Sequence, residues 1–415
     1  MDDLSDAGAS PRSPRPERWN ANLWAAARRL SPPRADRILG LRSAAILPTA
    51  TRARFAAMGL PPETVEQTLR EIRALEDWPE AWTRSAQRFL GESRREDHGG
   101  HRREAAVARR HAAFCYHAAL LAGAGDPRTA RALRASATGL FAQTVPILMP
   151  AVRRVEIPWR TTPLPGYLLS PGADAAPAPV AVLLNGATTA KEETILWADR
   201  FLREGIAVLA LDWPGTGEAT SLGVAADCDD MTDGLLALSA GESELDEHRV
   251  ALVGFSLGTA VAIRAAVHDR RIAACVAVTP PFDATRWLDR ANPLIVEQFG
   301  GLAGEERDIW ELAAAFALPD LMRRLRCPLL VFGAGRDLVT PPGEALNLAA
   351  AAGALGTLVW YPRGRHGLYE ALTDWTDDAA RWLVALLATD EAPTSDPQST
   401  RVEATAFAGG SRRDG

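Results

Sequence analysis

The chain has a single lysine, Lys191, among its 46 basic residues, and only four cysteines in 415 positions. Arginine and alanine dominate instead, the coding bias of a GC-rich bacterium. The cysteines (Cys115, Cys228, Cys275, Cys327) are scattered without any Cys/His spacing. That excludes a zinc ribbon or a redox Cys-x-x-Cys pair and leaves buried free thiols in a reducing cytosol. Positive charge is not in excess, at a net −6, so neither nucleic acid nor an anionic membrane is an expected partner. No run of eighteen apolar residues occurs, which excludes a helix spanning a bilayer. Residues 1–18 are polar, rich in Pro, Ser, Asp and Arg, with no signal-peptide core. They read as disordered, and the protein as cytoplasmic. No glycine-rich loop is followed by Lys-Ser or Lys-Thr, so no nucleotide, and equally no other cofactor or metal, is expected.

What the chain does have is Val250-Ala251-Leu252-Val253-Gly254-Phe255-Ser256-Leu257-Gly258-Thr259-Ala260. A short apolar β run meets a Gly-x-Ser-x-Gly turn and then a small-residue helix. This is the context of a nucleophile elbow, where a serine is projected from a sharp turn and its neighbours must be small. The N–H groups after it point to where an oxyanion would develop. Ser256 is therefore the candidate nucleophile.

The rest of the chain divides around this unit. From 19 to 150 the pattern is helical, with candidates Asn20–Leu30, Ala50–Met58, Pro62–Leu75, Ala81–Phe89, Arg102–Ala122 and Pro127–Leu148, punctuated by prolines. From 151 to 388 short apolar strands alternate with helices: Arg153–Trp159, Leu164–Leu169, Val180–Leu184, Ala207–Leu211, Val250–Val253, Ala273–Val278, Leu329–Phe332 and Thr357–Tyr361. Helices are expected at Glu192–Glu204, Asp227–Ser239, Glu344–Ala352 and Asp377–Leu387. The fold class is α/β, a mostly parallel sheet with helices on both faces. Roughly fifty residues separate Val278 from Leu329, more than one crossover helix needs. They read as a helical insertion at about 283–325, placed to cover the elbow. Residues 389–415 are rich in Ser, Thr, Pro and Gly and read as a flexible tail.

A serine hydroxyl needs a base, and the base an orienting carboxylate. His366 follows the last strand in Arg363-Gly364-Arg365-His366-Gly367, the only one of seven histidines after a late strand. Asp337 follows the preceding strand in a glycine-bracketed turn, with Asp283 as the competing acid. One oxyanion donor is expected from Leu257 N–H, the other from Asn185-Gly186-Ala187-Thr188-Thr189, through Ala187 or Gly186. Lys191-Glu192-Glu193 opens the next helix, either as surface charge or as an orienter of this loop. The turn Asp212–Glu218 reads mainly as shaping the loop, with Trp213 able to touch substrate. Thr188, Tyr116 and His117 are further candidate pocket residues, interdomain packing being the alternative for the last two.

The segments "NGATTAKEE", "LDWPGTGEA", "GFSLG", "GAGRDLVTPP" and "GRHG", preceded by a helical domain, resemble a group within the α/β-hydrolase superfamily. That group comprises 2,6-dihydroxypseudooxynicotine hydrolase, FrsA-like esterases and yellowish-green-pigment polyketide hydrolases, and the likeness covers roughly residues 100–388. It implies an α/β-hydrolase fold, a triad of Ser256, Asp337 and His366, a helical domain lining the pocket, and a homodimer. Several members cleave a C–C bond beside a ketone. Thr188 stands where the pseudooxynicotine enzyme is expected to carry an acid, so substrate identity does not transfer. The function implied is hydrolysis of an ester or 1,3-diketone in a mid-sized, aromatic or polyketide-like metabolite. Acyl transfer or elimination by the same residues is the alternative. A silent binding module is disfavoured by the complete triad.

Overall fold

The computed structural model describes residues 51–72, 77–121, 126–172, 177–291, 293–303 and 308–387. The expected helix Asn20–Leu30, the polar start and the tail lie outside them. A helical stretch at 51–57 leads into α1 (Pro62–Glu71), α2 (Trp78–His98), α3 (Arg102–Ala119) and α4 (Pro127–Leu148). Asp126 caps α4, its carboxylate accepting Arg128 N–H at 2.9 Å and Thr129 N–H at 3.0 Å, which fixes the boundary that Asp-Pro signals in the sequence. α2 runs twice as far as the expected Ala81–Phe89. Its second half, Gly91–His98, has almost no apolar residues and so no periodic signal; it is a solvated stretch tied to α3 by Arg109–Asp97 at 2.6 Å.

The sheet follows: β1 (Arg153–Ile157), β2 (Leu164–Leu169), β3 (Ala178–Leu184), α5 (Lys191–Thr194), α6 (Asp199–Arg203), β4 (Ala207–Leu211), α7 (Met231–Gly241) and β5 (Leu245–Phe255). Then come α8 (Gly258–His268), β6 (Ile272–Val278), α9 (Pro293–Ala303), α10 (Ile309–Ala315), β7 (Leu329–Ala334), α11 (Gly343–Ala352), β8 (Gly356–Tyr361) and α12 (Leu372–Leu387). The strand order is β1-β2-β4-β3-β5-β6-β7-β8, with β2 antiparallel to both its neighbours, β1 and β4, and every pair from β4 to β8 parallel. The single helix expected over Glu192–Glu204 is instead α5, a 3₁₀ turn and α6. Nearly every residue from Lys191 to Ala198 is buried, so this stretch crosses the interior and has no amphipathic face to read.

Side chains alternate across the sheet with the period of a strand. Val180, Val182, Leu184, Leu209, Leu252 and Val331 pack on one face with α7, α8 and the insertion. Ala181, Leu183, Val208, Val253, Val276 and Phe332 pack on the other with α12. The helical region joins this second core: Phe141 of α4 lies 5.6 Å from both Phe114 of α3 and Tyr167 of β2. The insertion packs on the first face through Trp287, Leu312 and Phe316, and Gln298 Nε2 of α9 donates to Leu121 O just beyond α3 at 2.8 Å. No described helix is long and apolar enough to cross a membrane. The strand order reverses at β3, which lies between β4 and β5, and a crevice opens at the carboxyl ends of strands where such a reversal occurs.

Candidate active site

Ser256 sits at the carboxyl end of β5, the strand beside β3, just before the start of α8. Its φ is +51°, a left-handed conformation that costs an L residue about 1–2 kcal/mol. The turn is held by Ser256 N–H to Val278 O at 2.9 Å and Thr259 N–H to Ser256 O at 3.0 Å. A Cβ on Gly254 would lie 2.4 Å from Thr259 Cα, and one on Gly258 2.2 Å from Leu184 O. The motif's glycines are thus required by close backbone packing.

The structure brings the candidate base and acid to this serine. His366 Nε2 is 3.0 Å from Ser256 Oγ, and His366 Nδ1 is 2.8 Å from Asp337 Oδ2. The buried Asp337 is fixed by its other oxygen, which accepts Val339 N–H at 2.8 Å and Thr340 N–H at 2.9 Å. Asp283, the competing acid, is committed elsewhere: its carboxylate caps Thr285 and pairs with Arg286 at 2.8 Å.

The 185–189 loop leaves β3 beside the serine. A Cβ on Gly186 would meet Ser256 Cβ and Phe255 O, each at 3.1 Å. Gly186 is not an available oxyanion donor, contrary to expectation, because its N–H already bonds Thr189 Oγ1 at 2.5 Å. The N–H groups of Ala187 and Leu257 carry no hydrogen bond among the described residues. Trp213 is a second correction. It is fully buried, stacks edge-on with Phe316 at 5.9 Å, and its Nε1 donates to Asn185 O at 2.7 Å. It braces the loop from beneath and has no surface for a substrate. Asn185 completes the brace, with Nδ2 to Thr189 O at 2.6 Å and Oδ1 accepting from Thr216 Oγ1 at 3.2 Å.

Comparison with known proteins gives the family. The sequence model described as "Alpha/beta hydrolase family" matches residues 181–412, and that described as "Esterase FrsA-like" matches residues 73–286. The chain belongs to the alpha/beta hydrolase family. It is 26% identical to 2,6-dihydropseudooxynicotine hydrolase of Paenarthrobacter nicotinovorans over 65% of this chain and 77% of that protein. It is 33% identical to the 20-hydroxy-prefusarin hydrolase of Gibberella moniliformis over 38% of this chain and 40% of that one. The crystal structure of 2,6-dihydroxy-pseudo-oxynicotine hydrolase superposes with a TM-score of 0.69 at 23% identity, covering 84% of this chain and 99% of that one, a likeness of fold.

Two charge clusters of this alpha/beta hydrolase surround the loop. Lys191 is not surface charge: it is fully buried, its Nζ 2.5 Å from Glu192 Oε1, 2.8 Å from Glu218 Oε2 and 3.0 Å from Asp212 Oδ2. Burial alone would lower its pKa, but the three carboxylates reverse that and hold it above the ordinary lysine range. Asp212 also accepts Lys191 N–H at 2.8 Å and Glu218 N–H at 2.8 Å, which locks the Asp212–Glu218 turn to the start of α5.

The second cluster crosses from the helical region and was not legible in the sequence. Arg54, in the 51–57 stretch, donates to Glu193 through Nε at 3.0 Å and Nη2 at 2.8 Å. It also donates to Thr188 through Nη1 to Oγ1 at 3.1 Å and Nη2 to the carbonyl at 2.7 Å. His117 Nε2 is 3.3 Å from Glu193 Oε2, and Tyr369 OH donates to Glu193 Oε1 at 2.9 Å. Burial would raise the Glu193 carboxyl; the Arg54 charge and the bonds from His117 and Arg54 override it and lower the pKa to about 2. Thr188 therefore has both its hydroxyl and its carbonyl occupied by protein. His117 is buried in this interface and also lines a narrow cavity with Arg134 and Glu192, while Tyr116 is half-buried against the helical core. Partners 139 and 176 residues apart leave no local pattern.

Proposed function

We propose that this enzyme is a serine hydrolase of carbonyl substrates. His366 Nε2 takes the proton of Ser256 Oγ as the oxygen attacks a carbonyl carbon; Asp337 orients the ring and stabilises the imidazolium. The oxyanion is held by the N–H groups of Leu257 and Ala187. Collapse expels an alkoxide, or an enolate carbon where the bond broken lies beside a second carbonyl, and His366 returns the proton to it. Water, deprotonated by His366, then attacks the acyl-serine; Ser256 leaves and a carboxylic acid is released. The observation that carries this reading is the Oγ–Nε2–Nδ1–Oδ2 chain, at 3.0 and 2.8 Å, hung from a serine with φ of +51°.

The bond cleaved is an ester or a C–C bond of a 1,3-diketone, in a mid-sized metabolite of aromatic or polyketide type. Named relatives that hydrolyse a pseudooxynicotine and a prefusarin support that class. The test is labelling with a fluorophosphonate, comparing the native enzyme with Ser256→Ala. Labelling of the native enzyme alone is expected; equal labelling of both overturns the assignment. A product screen over p-nitrophenyl esters and aryl 1,3-diketones then decides the bond. Turnover of esters with diketones untouched overturns the C–C reading.

A further inference from the structure

Arg54 reaches the site from the helical region, and what it grips is specific. Its fork takes the hydroxyl and the carbonyl of Thr188, the residue after Ala187. The same guanidinium pairs with Glu193, whose Oε1 receives Tyr369 OH. Tyr369 lies three residues beyond His366, and its ring packs edge-on against Phe255, the residue before Ser256, at 5.5 Å. One side chain therefore links the loop beside the serine, the segment after the base and, through Tyr369, the elbow. The brace from Asn185, Trp213 and Thr216 holds the first and last residues of the loop. At its middle, where Ala187 and Thr188 lie, the side-chain anchor is Arg54.

We propose that Arg54 is a positioning residue for hydrolysis, holding the 185–189 loop and the His366 segment in the register where Ala187 N–H serves the oxyanion. This rests on the reading of Ser256 as nucleophile. The guanidinium makes these bonds from three nitrogens held in one rigid planar fork; an ammonium has its three donors on a single atom and cannot reproduce that spread. A loop released from that grip shifts its donor, and displacement of order 1 Å costs about 10²-fold in rate. The helical region thereby supplies part of the catalytic geometry as well as cover.

The test removes both charges together, Arg54→Met with Glu193→Gln, so that no buried carboxylate is orphaned. Neutral replacement of a whole buried pair is often close to neutral for stability. Thermal midpoint, KM and kcat for a p-nitrophenyl ester, and the rate of fluorophosphonate labelling are measured beside the native enzyme, Arg54→Lys and Ser256→Ala. The double variant is expected to fold, keep KM within about threefold, and lose about 10²-fold in kcat and labelling rate. Arg54→Lys is expected to lose at least about tenfold in kcat. A folded double variant with native kcat, or a loss confined to KM, overturns the proposal. If the double variant does not fold, native kcat in Arg54→Lys overturns it instead. Undiminished labelling of Ser256→Ala is a separate result and sinks the nucleophile reading itself.

Discussion

Glycine to alanine is expected to have opposite signs at two helical positions of this chain. At Gly258, the first residue of α8, the added Cβ would stand 2.2 Å from Leu184 O and 2.5 Å from Asn185 O, both main-chain atoms that cannot rotate away. Relief to 3.0 Å needs roughly 0.8 Å of separation between α8 and the end of β3. Overpacking of that kind costs about 1–3 kcal/mol. Because β3 runs straight into the 185–189 loop, the same displacement moves Ala187 N–H, the proposed oxyanion donor, relative to Ser256, with an expected loss of about 10²-fold in rate. At Gly139, within α4, nothing lies within 4 Å of the added Cβ and the backbone is helical. There alanine is expected to stabilise by about 0.5–1 kcal/mol with no change in rate. Thermal unfolding followed by circular dichroism, with fluorophosphonate labelling rates, reads both. A Gly258→Ala enzyme with native midpoint and a labelling rate within threefold of native refutes the steric argument. So does a Gly139→Ala enzyme that is less stable than native.

Three further outcomes follow from the buried charges and the triad. Lys191→Met removes the cation that Glu192 and Asp212 share, while Glu218 keeps Arg154 at 2.8 Å, and is expected to destabilise by about 3–5 kcal/mol in urea at pH 7. Part of that loss is expected to be recovered near pH 5 as a carboxylate takes up a proton, and a pH-independent loss contradicts it. Glu193 has a folded pKa near 2, below its ordinary 4.5, so its stabilisation is present above pH 4.5 and is lost as pH falls toward 2. The stability gap between the native enzyme and Arg54→Met/Glu193→Gln is therefore expected to shrink by up to about 3 kcal/mol over that window, read by denaturant titration; a constant gap refutes the assignment. Asp337→Asn removes the acceptor that fixes the His366 tautomer and is expected to lower kcat by about 10⁴-fold with little change in KM. Steady-state kinetics check it, and a loss under tenfold speaks against the role.

That Ser256, His366 and Asp337 come together was legible because each sits within a few residues of a strand end and carries its turn chemistry locally. The strands were legible because alternating core faces leave short, wholly apolar runs between helices. Gly186 was misjudged as a donor because a loop sequence does not reveal that Thr189 folds back on its amide. Lys191 was ambiguous for a related reason. A first-turn lysine followed by two glutamates looks like solvated charge until Asp212 and Glu218 arrive from another strand. Arg54 left no trace at all, since its partners lie in three separate parts of the chain. Short-range stereochemistry is written in the sequence, whereas long-range charge pairing emerges only when distant segments pack together.

The buried cage has a chemical corollary for the whole folded protein. Its one ε-amine is out of solvent and held as an ammonium, so it is neither accessible nor nucleophilic. Amine-directed acylating reagents consequently have no lysine to modify until β3, β4 and the start of α5 separate. Modification of Lys191, followed by mass spectrometry, becomes an intrinsic clock for that opening, requiring no engineered probe and no background correction from other lysines.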